Sequence, residues 1–223
     1  MSFEGFDPAA VALLADLPGY DQTQFTQVRE QLATGLREPG IALITDVAAL
    51  TDADLSCSPR SSVSPLHRDL RFAKAGTPKY KDHLLLSAWQ GSDKKSSPGL
   101  WIRIAAEGIG FASGINFDKT VRERWQAAVG ADGGAALASH LQELQARYPE
   151  SKLDIAGKPL AKVPKPWPAD HSRADLLRLT GFQVRFERPS PTCMTGAEFA
   201  HWCAQVFEAL LPTHRWLIKH LSA

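Results

Sequence analysis

The 223-residue sequence is poor in cysteine and carries almost no net charge. Its three cysteines, Cys57, Cys193 and Cys203, form no CxxC pair and cannot all be paired with each other. This count excludes a disulfide scaffold and predicts a reducing, cytoplasmic setting. Cys57 lies ten residues before the nearest histidine, His67, which is not a metal-ligand spacing, so we expect no metal and no other cofactor.

Long hydrophobic runs are also absent. The longest apolar run near the start, residues 9–15, is far shorter than the roughly 20 residues that a membrane span needs. The first residues lack the basic region of a signal peptide, so neither a membrane association nor secretion is expected. A formal net charge of +1 disfavours nucleic-acid binding through bulk charge. The composition, 44% hydrophobic and 22% charged, is that of a globular protein.

Hydrophobic periodicity predicts strands in the middle of the chain and helices at both ends. The predicted strands cover residues 83–90, 100–105, 109–115 and 181–188. Apolar residues at helical spacing fill most of the first 50 residues, residues 117–148 and the chain after Thr195. We therefore predict an α+β fold in which a mostly antiparallel central sheet is flanked by N-terminal and C-terminal helices. No internal boundary is evident, so a single domain over residues 1–223 is expected.

Local signals place several helix ends. Asp7-Pro8 predicts one helix start, and Asp21 with Gln24 predicts a capping box at a second. Pro39-Gly40 predicts a break, after which residues 41–50 are compatible with a strand or a helix; the three-to-four-residue spacing of their apolar side chains favours the helix. Thr195 with Glu198 predicts the start of the last long helix.

The near-zero net charge conceals an uneven distribution along the chain. Residues 1–57 contain nine acidic and two basic side chains, a net charge of −7. Residues 58–83 contain six basic and two acidic side chains, a net charge of +4. The two segments could neutralise each other on one surface, or the basic segment could face an anionic ligand.

The basic segment holds the candidate binding residues. Arginine binds carboxylate or phosphate through a bidentate fork, lysine adds point charge, and an aspartate between two arginines can fix their rotamers. A turn at Gly76-Thr77-Pro78 would bring the residues after it back towards those before it. The predicted ligand-binding residues are Arg68, Asp69, Arg71, Lys74, Lys79, Tyr80 and Lys81.

The same segment resembles the signature of a bacterial family of unknown function, DUF2461. That signature reads RxxRDxRFxxx[DN]KxxY, and Arg68-Asp69, Arg71-Phe72 and Tyr80 match it. Pro65, Gly76 and Thr77 stand where the signature has Arg, Asp or Asn, and Lys. The resemblance extends over nearly the whole chain, including Gly110 and the strand around Arg103. It implies no established activity.

Two hypotheses of function follow. The first is a domain that binds a small anionic ligand, bearing phosphate or carboxylate, at the basic segment. The alternative is a protein-interaction or regulatory module, in which Arg68, Asp69 and Arg71 form a purely structural network and Phe72 is a core residue. His83 is interpreted as a satisfied strand residue, and the sequence identifies no reaction.

Overall fold

A computed structural model describes residues 2–149, 154–156 and 159–222 of the chain. The chain begins with three helices, α1 (Pro8–Asp16), α2 (Gln22–Leu32) and α3 (Glu38–Leu50). The side chain of Asp7 accepts the Ala9 N–H at 2.9 Å, and Asp21 and Gln24 exchange two hydrogen bonds of 2.9 Å. Both predicted N-terminal caps are confirmed, as is a helical conformation for residues 41–50.

The predicted break at Pro39-Gly40 is wrong, because a π-helical turn (Ala33–Arg37) joins α2 to α3. Pro39 has no N–H to donate to the carbonyl of Gly35 four residues earlier. That carbonyl instead accepts the backbone N–H of Asp7 at 3.2 Å. A Cβ on Gly35 would lie 2.7 Å from Cβ of Ala10, so glycine permits the close approach of α1. The proline therefore frees an acceptor that another helix uses.

The strands follow in the middle of the chain. They are β1 (Leu55–Ser56), β2 (His83–Gln90), β3 (Gly99–Ala105), β4 (Gly108–Asn116), β5 (Asp154–Ala156) and β6 (Gly181–Arg188). The predicted strands over 83–90 and 181–188 have the predicted bounds, β3 begins one residue earlier than predicted, and β4 is one residue longer at each end. Among the described residues these strands form one antiparallel sheet in the order β1-β2-β3-β4-β6-β5. The α+β prediction is confirmed.

The remaining helices lie after β4. They are α4 (Lys119–Gly130), α5 (Gly133–Arg147), α6 (Ala174–Leu177), α7 (Glu198–Glu208) and α8 (Leu211–Leu221). The predicted capping box at Thr195 is wrong, because Thr195 ends a 3₁₀ turn and α7 begins only at Glu198. No helix in the described part of the chain is both long and apolar enough to cross a bilayer.

The chain divides into two compact units. One unit contains residues 1–88, 101–110 and 188–205, and the other contains residues 89–100, 111–187 and 206–223. Each unit is assembled from three separate stretches of sequence, so no cut in the chain releases either one. The single domain over residues 1–223 stays a prediction.

The first unit places α3 against β2. Gly40 of α3 approaches the side chains of Leu84 and Leu86, where an added Cβ would lie 3.0–3.1 Å from their methyl groups. Both leucines are buried, and they alternate with the half-buried His83 and Leu85. β2 therefore turns one face to the helix and leaves His83 on the other face.

The second unit has an aromatic core. Trp125 of α4 lies 4.8 Å from Phe182 of β6 and 5.6 Å from Trp216 of α8, between ring centroids. Trp125 donates its indole N–H to the carbonyl of Leu176, and Trp216 donates to the carbonyl of Gly133. The indoles of Trp125 and Trp216 therefore have the partners that buried polar atoms require.

Candidate functional site

The basic segment folds back on itself as its turn residues predict. His67 and Tyr80 form an antiparallel bridge, the Arg68 N–H donates to the Lys79 carbonyl at 2.9 Å, and the Lys81 N–H donates to the Leu66 carbonyl at 2.8 Å. Gly76 has a φ of 82°, which glycine adopts without strain. The predicted return of residues 79–81 to Arg68 is confirmed.

Tyr80 anchors this hairpin to α2. Its ring is fully buried and stacks on Phe25 with the centroids 4.1 Å apart, while His67 meets both rings edge-on at 4.9 Å. The hydroxyl of Tyr80 is buried without a hydrogen-bond partner among the described residues. The predicted site residue Tyr80 is therefore a packing anchor rather than a group that faces solvent.

Arg68 and Lys81 are held side by side through backbone carbonyls. Arg68 Nε donates to the carbonyl of Tyr80 at 3.3 Å, and Lys81 Nζ donates to the carbonyl of Pro65 at 2.8 Å. A carbonyl fixes the position of a cation without neutralising it. Burial, followed by the charge of Arg68, lowers the pKa of Lys81 below its ordinary value. Arg68 and Lys81 each lie one position from the bridged pair His67 and Tyr80, on facing arms of the hairpin, so the fold brings two like charges near each other.

A carboxylate and a histidine lie next to these cations at the start of β2. Asp82 Oδ1 is 2.6 Å from His83 Nδ1 and 3.9 Å from Arg68 Nη2, and Asp82 Oδ2 is 3.7 Å from Nη2 of Arg103. The hydrogen bond from His83 lowers the pKa of Asp82, and Arg103 adds to this. We call Arg68, Lys81, Asp82, His83 and Arg103 the Asp82 cluster.

Arg103 reaches the cluster from β3. Its guanidinium is also 2.8 Å from Glu107, four residues along the chain. Gly110 lies beside the base of its side chain, and a Cβ there would be 3.1 Å from Cβ of Arg103. A glycine at this position leaves room for the arginine stem.

The other predicted site residues lie outside the Asp82 cluster. Asp69 and Arg71 form a bidentate pair with Arg71 Nη2 2.6 Å from Asp69 Oδ2, and the Arg71 side chain is 78% exposed. Hydrogen bonds from Arg71 lower the pKa of Asp69. Lys79 Nζ donates to Gln22 of α2 at 2.7 Å, and Lys74 is exposed on the loop. The structure thus divides the predicted set between the base of the hairpin and its tip.

The hairpin tip carries an exposed aromatic side chain. Phe72 is 94% exposed and Leu70 is 41% exposed. The interpretation of Phe72 as a core residue is therefore wrong. A large apolar residue that is this exposed gains nothing from the fold of its own chain.

Asp82, His83 and Arg103 are the cluster residues that sequence reasoning missed. Asp82 immediately precedes β2, and His83 and Arg103 occupy half-buried positions of β2 and β3. Pairing the two predicted strands as an antiparallel hairpin would have brought the start of one close to the end of the other. The described residues contain no group of three His, Cys, Asp or Glu side chains able to hold a metal ion.

Fold and site together define an α+β protein whose cationic hairpin lies beside a carboxylate–histidine pair. The chain matches the model of one family, described as conserved hypothetical protein (DUF2461), over residues 12–216. The chain therefore belongs to this family, and the resemblance carried by Arg68-Asp69, Arg71-Phe72 and Tyr80 is confirmed. No curated protein and no solved structure matches the chain.

Proposed function

We propose that this protein binds a small anionic ligand, bearing a phosphate or carboxylate group, at the Asp82 cluster. The observation that supports this proposal is that the cations Arg68 and Lys81 lie next to each other. Both cations are anchored on backbone carbonyls, and Asp82 lies 3.9 Å from the Arg68 guanidinium, beyond hydrogen-bond length.

Asp82 offsets only part of the charge of these two cations in their half-buried setting, so a further counter-charge is favourable. Each loses hydration, and each raises the cost of charging the other. Among the described residues, the Nη nitrogens of Arg68 make no hydrogen bond, and Lys81 uses one of its three donors. An oxyanion placed between them would accept hydrogen bonds from both side chains and relieve their repulsion.

This proposal narrows the set of ligand residues predicted from the sequence. Arg71 already pairs with Asp69, Lys79 already bonds Gln22, and the Tyr80 hydroxyl is buried. Lys74 remains an exposed cation of the tip. Arg68 and Lys81 carry the proposed contacts with His83 beside them, while Arg103, paired with Glu107, contributes its charge to the cluster.

The test compares two arginines of one hairpin. Phosphate, sulfate and dicarboxylates are screened by thermal shift against the wild type, Arg68→Gln and Arg71→Gln. We expect a rise in Tm with anion for the wild type and Arg71→Gln, and none for Arg68→Gln. Circular dichroism of the unliganded variants checks that each is folded. An equal anion response in Arg68→Gln, or no response in the wild type, would contradict the proposal.

The alternative function, a protein-interaction module, is favoured by one observation, the exposure of Phe72. An aromatic ring that is 94% exposed and follows Arg71 suits a partner with an apolar pocket rimmed by acidic side chains. A purified partner that binds the wild type and Arg68→Gln but not Phe72→Ser would support this function. Equal binding of that partner by Phe72→Ser would count against it.

Cytoplasmic location and the lack of nucleic-acid binding stay predictions from the sequence. Cell fractionation tests the first. The second is tested by retention on a nucleic-acid column. If the protein bound phosphates electrostatically, its retention would depend steeply on the salt concentration.

A further inference from the structure

His83 enters the Asp82 cluster with one ring nitrogen bound and the other unbound. Nδ1 is 2.6 Å from Asp82 Oδ1, which fixes the orientation of the ring. Nε2 makes no hydrogen bond to any residue that the structure describes, and 22% of the side chain is exposed. The ring is thus held by a carboxylate on one side and has a free nitrogen on the other.

The charged groups around His83 come from three elements. Lys81 and Asp82 precede it along the chain, Arg68 comes from the facing arm of the hairpin, and Arg103 comes from β3 with its partner Glu107. These three cations and two carboxylates leave a formal charge of +1 when the imidazole is neutral. A protonated imidazole raises the charge to +2, which matches a dianion.

We propose that the Asp82 cluster takes a tetrahedral dianion, such as the phosphate of a monoester, and that His83 takes up one proton from solvent when the dianion binds. Nε2 then donates its N–H to a ligand oxygen, while Nδ1–H donates to Asp82. This assignment rests on the anion-binding function proposed above, and it specifies the charge and shape of the ligand.

The surroundings of His83 favour the neutral ring before binding and the charged ring after it. In the unliganded protein, burial is the main cause that lowers the pKa of His83, and Arg103 and Lys81 act in the same direction against the opposing effect of Asp82. A bound dianion adds two negative charges beside the ring and reverses this balance. A monoanion adds half as much and is expected to gain less from the proton.

The expected consequence is an affinity for dianions that rises as the pH falls. Between the pKa of His83 in the complex and its lower pKa in the free protein, each pH unit changes the affinity by up to about tenfold. Above and below that interval the affinity is constant. Inorganic sulfate is the suitable probe because it stays dianionic between about pH 5 and pH 8, the range in which histidine titrates.

Isothermal titration calorimetry with sulfate tests this inference. The wild type is titrated across that pH range and, at neutral pH, in buffers of different ionisation enthalpy, which gives the number of protons taken up. We expect an uptake approaching one proton in the wild type and none in His83→Gln. His201→Gln, which changes an exposed histidine of the same compact unit, should keep the wild-type behaviour.

The outcomes separate the two proposals. Sulfate binding by the wild type without proton uptake, or with the same pH dependence in His83→Gln, would overturn the role of His83 and leave the anion site standing. An absence of sulfate and phosphate binding by the wild type at every pH would overturn the anion site and the role of His83 together.

Discussion

Lowering the pH from about 8 to about 5 is expected to destabilise the fold, because His214 would have to take up a proton inside the core. The side chain of His214 is fully buried in α8. Its Nδ1 lies 3.3 Å from the Ser113 hydroxyl of β4, and its Nε2 is buried without a partner among the described residues. Nothing described around the ring provides a counter-charge for an imidazolium.

The size of the effect follows from the pKa. Burial, with Arg215 as a smaller cause, lowers the pKa of His214 from 6.5 to about 4. A lowered histidine pKa means that the unfolded chain binds the proton more tightly than the folded one. The contribution to stability is therefore complete above pH 6.5 and is lost as the pH falls towards about 4. At about 1.4 kcal/mol per pKa unit, the full loss is about 3 kcal/mol, of which about 2 kcal/mol is lost by about pH 5.

Urea denaturation at a series of pH values measures this loss directly. The free energy of unfolding of the wild type is expected to decrease below about pH 6.5, the ordinary histidine pKa. Other histidines with lowered pKa values, His83 and His220, contribute with the same sign. The measured quantity is therefore the difference in pH dependence between the wild type and His214→Gln, which lacks the titrating group. Parallel curves for the two proteins would refute the reasoning.

Three further predictions concern packing. Gly35→Ala is expected to lower the free energy of unfolding by about 1–3 kcal/mol, because its Cβ would overpack against α1. Gly19→Ala is the control, because a Cβ there meets open space and is expected to cost nothing. Urea denaturation of both variants measures the difference. Tyr80→Phe removes a buried hydroxyl without a described partner, so the thermal midpoint is expected to stay equal or rise, and a clear fall would reveal a hidden partner. Phe72→Ser is expected to change stability by less than about 0.5 kcal/mol, because the exposed ring has little packing to lose; a larger loss by denaturation would show that it packs in solution.

The fold was predictable where a single local signal decides it. Residues 83–90 form a short, largely apolar run typical of a buried strand, and Phe182, Val184 and Phe186 alternate along residues 181–188; the bounds of both strands match. The break predicted at Pro39-Gly40 is wrong because the carbonyl that lacks a hydrogen bond from Pro39 has another donor. Here Gly35 found a partner in Asp7, a contact between distant segments that no local pattern contains.

The candidate site was predictable only in part, for a related reason. The charges of residues 68–81 are visible in the sequence, and turn residues predict that the chain folds back. The separation of Arg71 from Arg68 depends on the burial of Tyr80 against Phe25, which fixes the base of the hairpin and leaves the tip exposed. His83 and Arg103 join the site through the pairing of two strands, which is again a long-range contact.

The departures from the family signature do not remove the Asp82 cluster. Gly76 and Thr77 replace its Asp or Asn and its Lys, and both lie in the loop between the bridge residues His67 and Tyr80. The Thr77 hydroxyl bonds the carbonyl of Lys74, within that loop. Pro65 replaces an arginine, but its contact with Lys81 is made by a carbonyl, which every residue has. Loss of these three side chains therefore alters the tip and removes one flanking cation, while Arg68 and Lys81 of the proposed anion site remain in place.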